Sequence, residues 1–167
     1  MSDTQKIAVI GLGNELLSDE GYGIYILREL KKSPPLHINV EYLEGGVKGH
    51  SLLPFFFEYK YLIFLDVVKI DDEPGSIYLF DMDDVSYSNK MITSFHDFGI
   101  EDIYKLAKAL GSPAKCYVVG IVPENIVDVG GPTPTLIDRK EKFISITKDL
   151  ILKCLDNARS QYCNLNN

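Results

Sequence analysis

Cysteine, basic charge and long apolar runs are all scarce in this chain, and each scarcity excludes something. There are three cysteines, Cys116, Cys154 and Cys163, which form neither a CxxC pair nor an even set. A disulfide scaffold is therefore not expected, and the three read as reduced thiols of a cytoplasmic protein. Lysine and arginine number 17 against 24 aspartates and glutamates, a net charge of −7. Such a surface repels a phosphate backbone, so a nucleic-acid partner is not expected. No apolar run is long enough to span a bilayer, and residues 1–6 are polar. Neither membrane association nor a signal peptide is expected. Internal repeats and low-complexity segments are missing too, and 167 residues at 46% apolar suit one domain with a real core, 1–167, expected as a monomer.

What is present is an alternation of strand and helix patterns. Residues 7–10 are a short β-branched apolar run, the kind buried on both faces of a sheet. Apolar spacing from Tyr22 to Leu30 predicts a helix, which Ser33-Pro34-Pro35 ends. Residues 38–43 alternate into a second strand, and 49–58 form a short helix with Pro54 near its first turn. Residues 61–68, YLIFLDVV, make the most apolar strand, expected at the centre of the sheet with Asp66 near its end. After a turn at 71–75, residues 76–80 read as an edge or antiparallel strand, and Asp81 to Asp84 as a solvated turn. Residues 87–99 form a polar loop carrying His96, 101–110 an amphipathic helix, and 115–121 a fifth strand. A loop over 122–134 leads to a closing helix at about 136–154, with 155–167 a frayed tail. The pattern gives an α/β fold: a three-layer sandwich with a twisted, mostly parallel five-stranded sheet and helices on both faces.

Gly11 and Gly13 let the chain turn sharply after the first strand, and Ser18, Asp19 and Glu20 lie at the mouth of the first helix. Glu20 thus reaches the carboxyl edge of the sheet, where open α/β sheets bind ligands. Asp66 at the end of a central strand and His96 in the loop after the fourth converge on the same edge. Two carboxylates and an imidazole suit a divalent ion such as nickel or zinc with coordination positions left open. Each residue also has a plainer use. Asp19 and Glu20 can favour a helix N-terminus, Asp66 can accept backbone N–H groups, and His96 can be a solvated loop histidine, as His37 and His50 are expected to be. Gly11-Leu12-Gly13 also suggests a dinucleotide site, with Glu44 as the ribose-binding acid. Leu16 stands where its third glycine belongs, however, and carboxylates at the helix mouth would repel a pyrophosphate.

The motifs resemble those of the nickel–iron hydrogenase maturation endopeptidases. Residues 11–23, GLGNELLSDEGYG, satisfy every fixed position of that family's opening pattern, G-x-G-N-x-L-x-x-D-(D/E)-G-x-G. Glu44-Gly45-Gly46 stands for its D-G-G, with glutamate replacing the usual aspartate. Asp66 followed by Pro74-Gly75, then Ser94-Phe95-His96, then residues 119–124, VGIVPE, match the rest in order. The resemblance implies a twisted mixed sheet between helices. It further implies removal of a C-terminal extension from the hydrogenase large-subunit precursor after nickel insertion. Carried over residue by residue, the family's metal-binding trio falls on Glu20, Asp66 and His96. The nickel is expected on the precursor, with zinc or cadmium as stand-ins in a crystal, and Asp66 is the expected general base. GLGN also opens peptidyl-tRNA hydrolases, whose following proline-glycine and histidine segments are lacking here. A nucleotide-binding protein and a non-catalytic assembly chaperone stay open as alternatives.

Overall fold

The computed structural model describes residues 6–47, 49–88 and 99–165. Strand β1 (Ile7–Leu12) passes through a 3-10 turn (Ser18–Gly21) into helix α1 (Tyr22–Lys31). Strand β2 (Val40–Gly46), a second 3-10 turn (Gly49–Leu52) and the short α2 (Phe55–Glu58) lead to β3 (Tyr61–Val67). Strand β4 (Ile77–Asp81), α3 (Met82–Ser88), α4 (Ile100–Ala109), β5 (Lys115–Ile121), α5 (Pro134–Ile137) and α6 (Lys140–Leu165) complete the chain.

The five strands form one sheet in the order β2-β1-β3-β5-β4. The first four in that order are mutually parallel, and β4 pairs antiparallel with β5 at the edge. The most apolar strand, β3, is central, and all seven of its residues are buried. A strand flanked on both sides and covered on both faces has no room for a polar side chain without a reason.

Strand alternation divides the core between the two faces of the sheet. Ile7, Val9, Ile63 and Leu65 join Tyr22, Ile26 and Leu27 of α1 and Phe143, Ile151 and Cys154 of α6. Ala8, Ile10, Leu62 and Phe64 join Phe56 of α2, Met82 of α3, and Ile103, Tyr104 and Ala107 of α4. The layers are therefore helix, sheet, helix, as the strand–helix alternation requires. Cys116 and Cys154 are free and buried, one on each side of the sheet, and act as small apolar residues.

Four boundaries differ from the sequence expectations, each for a local reason. The helix at 49–58 splits, because the residue before Pro54 is biased away from helical geometry and the proline lacks an N–H. The second strand starts at Val40, since His37 Nδ1 accepts the Asn39 N–H in a turn just before it. Residues 82–88 are helical instead of a solvated turn. Asp81 caps α3 by accepting the Asp83 N–H at 3.0 Å, and Met82 and Val85, one turn apart, are buried. Finally, the closing helix begins at Lys140 and runs to Leu165, well past the expected end at Cys154. Its apolar stripe simply continues through Ile151, Cys154, Leu155 and Ala158, all buried against the sheet. Among the described residues, no helix is long and apolar enough to cross a membrane.

Candidate active site

The strand order places the loops after β1 and β3 at a topological switch point. From β1 the chain steps to β2 on one side, and its next return, β3, lies on the other. The following helices cover opposite faces, which opens a crevice above the carboxyl ends of the two strands. Glu20, in the 3-10 turn after β1, and Asp66, next to last in β3, both lie at this edge.

Glycines set how closely these pieces approach. A Cβ on Gly13 (φ +129°) would fall 1.8 Å from the Glu20 carbonyl oxygen, and one on Gly11 would fall 2.6 Å from that of Gly23. On Gly23 it would fall 2.0 Å from the Leu65 carbonyl oxygen and 2.5 Å from that of Leu12. The first turn of α1 therefore rests directly on the backbone of β1 and β3, one residue from Asp66. No side chain fits between them.

Asp66 is 1% exposed. By the pleat it points to the face carrying Phe64 and α4, into a crevice lined by Val68, Met82, Ile100, Glu101 and Val118. Its partner across the ladder is Gly120, which adds no side chain beside it. Its Oδ1 accepts the Val67 N–H at 2.8 Å. Burial pushes its carboxyl pKa up to about 7, the nearby charge of Glu20 pushes the same way, and the Val67 hydrogen bond opposes them. A half-buried Glu20 thus lies near enough for its charge to be felt at Asp66. Two of the three residues chosen from sequence, Glu20 and Asp66, lie at the same edge of the sheet, while His96 lies outside the described residues. Among the described residues no group of three metal-binding side chains is assembled.

Asp19 has a role that sequence reasoning missed. It is fully buried, and it makes no helix-capping bond. Its Oδ2 accepts the N–H groups of Glu124 and Asn125, both at 2.9 Å, and the Thr133 hydroxyl at 3.1 Å. Its Oδ1 accepts the Thr133 N–H at 2.7 Å. The carboxylate clasps the loop between β5 and α5. The partners are over a hundred residues away, so no local pattern announced them.

Glu44 behaves differently from a ligand-facing acid. Arg28 Nε and Nη2 donate to its two carboxylate oxygens at 3.0 and 3.2 Å, and Arg28 also pairs with Glu15. That hydrogen-bonded guanidinium holds the Glu44 carboxyl below its usual range. The acid ties β2 to α1, and the ribose-binding use suggested from sequence has no support in its contacts.

Known proteins resemble this chain in sequence and fold. A family model for hydrogenase maturation proteases, HycI, matches residues 24–146. The hydrogenase expression/formation protein HupD of Rhodobacter capsulatus is 33% identical over 129 residues, covering 76% of this chain and 61% of that protein. The chain thus spans about three fifths of that relative's length. The hydrogenase 2 maturation protease of Escherichia coli K12 is 33% identical over 135 residues, covering 78% of this chain and 81% of the protease. The solved structure of the E. coli hydrogenase maturating endopeptidase HybD superposes with a TM-score of 0.79 at 29% identity, covering 89% of this chain and 93% of its own.

Proposed function

Because this chain belongs to the hydrogenase maturation protease family, we propose that it is an endopeptidase acting on the large-subunit precursor of a nickel–iron hydrogenase. In this reading it removes a C-terminal extension once the precursor carries nickel. The observation that supports it is the buried Asp66 carboxyl at the sheet edge, held in the field of Glu20.

The chemistry follows from that pair. A carboxyl pushed up to about 7 exchanges its proton near neutral pH, which is what a general base for water attack on a peptide carbonyl requires. Asp66 takes that role. Two neighbouring carboxylates also offer hard oxygen donors to a dication, and their mutual repulsion is relieved when a positive centre lies between them. Glu20 and Asp66, with His96 as the third donor, would hold the precursor's nickel, which polarises a nearby carbonyl and fixes the scissile bond within reach. Nickel is here part of the substrate, and zinc or cadmium, with similar donor preferences, would stand in for it in metal titrations. Both described carboxylates come from one chain, so a monomer suffices. The buried free thiols and the acidic surface suit the cytoplasm.

Mass spectrometry of a large-subunit precursor incubated with this protein, nickel-loaded and nickel-free in parallel, tests the proposal. Loss of a C-terminal peptide from the loaded sample alone is expected. Cleavage of both samples would remove nickel as the gate, and stable capture without cleavage would make the protein a chaperone. Single Glu20→Ala, Asp66→Ala and His96→Ala proteins should fold and fail to process. Full activity of His96→Ala would remove His96 from the trio.

A further inference from the structure

We propose that Asp19 is a positioning residue for Glu20, locking it in place through the loop between β5 and α5. The proposal rests on the functional reading above for the role of Glu20. The geometry of the clasp stands independently of it.

Glu20 is bracketed on every backbone side. Its N–H donates to the Leu17 carbonyl at 2.9 Å, and its own carbonyl lies against Gly13, where a Cβ would overlap it at 1.8 Å. The preceding residue is fastened twice over. The Asp19 N–H donates to the Asn125 carbonyl at 2.9 Å, and the Asp19 carboxylate accepts four hydrogen bonds from Glu124, Asn125 and Thr133. Backbone and side chain of one residue thus grip both ends of the loop, and the turn cannot rotate without breaking several bonds at once.

The loop is fixed in return. The Ser18 hydroxyl donates to the Gly131 carbonyl at 3.2 Å, and the Gly130 N–H donates to the Leu16 carbonyl at 3.3 Å. Thr133 begins α5, whose Leu136 carbonyl accepts the buried Tyr22 hydroxyl at 2.9 Å. Asp19, Thr133, Leu136 and Tyr22 make a closed circuit that returns to the chain three residues after it left. Ser18 holds a left-handed backbone (φ 39°), unusual for a residue with a Cβ, and the circuit stabilises that conformation. A plain helix cap would satisfy one or two N–H groups of its own helix. This carboxylate instead serves a distant loop, and what it fixes is the turn that carries Glu20.

Asparagine at 19 keeps one acceptor and turns an NH2 group toward N–H donors, so it breaks part of the clasp with little change in volume. Backbone amide exchange at Glu124, Asn125 and Thr133 should be faster in Asp19→Asn. Thr133→Val, which removes only the hydroxyl bond, should do the same more weakly. Titration of the metal-free proteins with nickel(II) alone should show affinity reduced about tenfold in Asp19→Asn, as expected when a residue that orients a ligand is altered. Precursor cleavage should lose at least about tenfold in kcat, since positioning acts on the reacting geometry, and KM should rise as well because the nickel that Glu20 holds is carried by the substrate. Measurements are made below the melting transition, so a merely less stable protein leaves nickel affinity and kcat unchanged.

Wild-type nickel affinity with opened amides overturns the positioning role, and unchanged amide exchange overturns the clasp itself. Should Asp19→Asn fail to fold, Thr133→Val decides by the same two readouts. Glu20→Gln separates this proposal from the functional one. If it processes the precursor fully, the functional reading fails. If it is inactive while Asp19→Asn is fully active, only the positioning role fails. If the wild type cuts no precursor, nickel affinity in Asp19→Asn alone upholds or overturns the proposal.

Discussion

Asp66→Asn should make the metal-free protein more stable at alkaline pH while abolishing its activity. Asparagine is nearly the same size and keeps an acceptor for the Val67 N–H, so packing and the local hydrogen bond survive. What disappears is a buried carboxyl whose pKa rises from 3.8 to about 7 on folding. A raised folded pKa means that the native state holds the proton longer than the unfolded chain does. The group's favourable contribution is complete below about pH 4 and is lost as pH rises through about 7. Over that window of about three pH units, at ~1.4 kcal/mol per unit, the wild type should lose roughly 4 kcal/mol relative to Asp66→Asn. Urea denaturation of both proteins with a chelator present, from about pH 4 to about pH 8, measures this directly as a difference in midpoint. The curves should lie close together at the acid end and diverge steadily until about neutrality. Glu20→Gln should move the end of the divergence to lower pH, because the Glu20 charge helps raise the Asp66 pKa. A difference that is flat across the window, or that favours the wild type at the alkaline end, would refute the claim that burial of this charge opposes folding.

Gly23→Ala sets a helix gain of about 1 kcal/mol against overlap with two backbone carbonyls that cannot swing aside. A net loss of about 2 kcal/mol is expected, and an unchanged melting temperature would show that α1 does not rest on β3. Gly131→Ala, with open space around its Cβ and no left-handed φ, should stay within about 0.5 kcal/mol of the wild type in the same assay. Tyr22→Phe removes one of the hydrogen bonds to the Leu136 carbonyl, which still accepts the Arg139 N–H at 3.1 Å, and should cost about 1 kcal/mol by urea denaturation. Arg28→Ala breaks pairs with Glu15 and Glu44 that are about half exposed, so a stability change of at most about 1 kcal/mol is expected, and a larger one would mean the bridge is structurally essential.

The legible parts of this fold are those whose cause lies within a few residues. Period and β-branching revealed β1 and β3, Gly111-Ser112-Pro113 ended α4, and the Pro74-Gly75 turn made β4 an antiparallel edge strand. Asp66 was legible for the same reason, as a lone charge in an apolar strand. The illegible parts are set by distant partners. The acid run at 81–84 looked solvated, yet Asp83 accepts hydrogen bonds from Tyr104 and Lys115, and Met82 and Val85 fill the core. Asp19 and Glu20 are neighbours with the same charge, and nothing local tells that Asp19 is the one that clasps a distant loop while Glu20 stays half-buried. The difference arises only when the loop at 124–133 folds back over the turn.

The opening glycines show how a familiar motif can serve a different physical end. In a dinucleotide site, Gly-x-Gly after the first strand makes room for a pyrophosphate, and a third glycine lets helix and strand pack closely. Here Gly11 faces Gly23 across the β1–α1 contact, and Gly23 in turn faces the carbonyls of Leu12 and Leu65. The space released by the missing side chains is filled by the helix itself. A third glycine at position 16 has no work to do, because Leu16 is 70% exposed and the packing role has passed to Gly23. This closer approach carries the turn with Glu20 down onto the end of β3, and only there does its charge reach Asp66. Any side chain at 11, 13 or 23 would force helix and strand apart and weaken that coupling. The motif here serves the close approach of helix and strand, which sets where the turn carrying Glu20 sits above the end of β3.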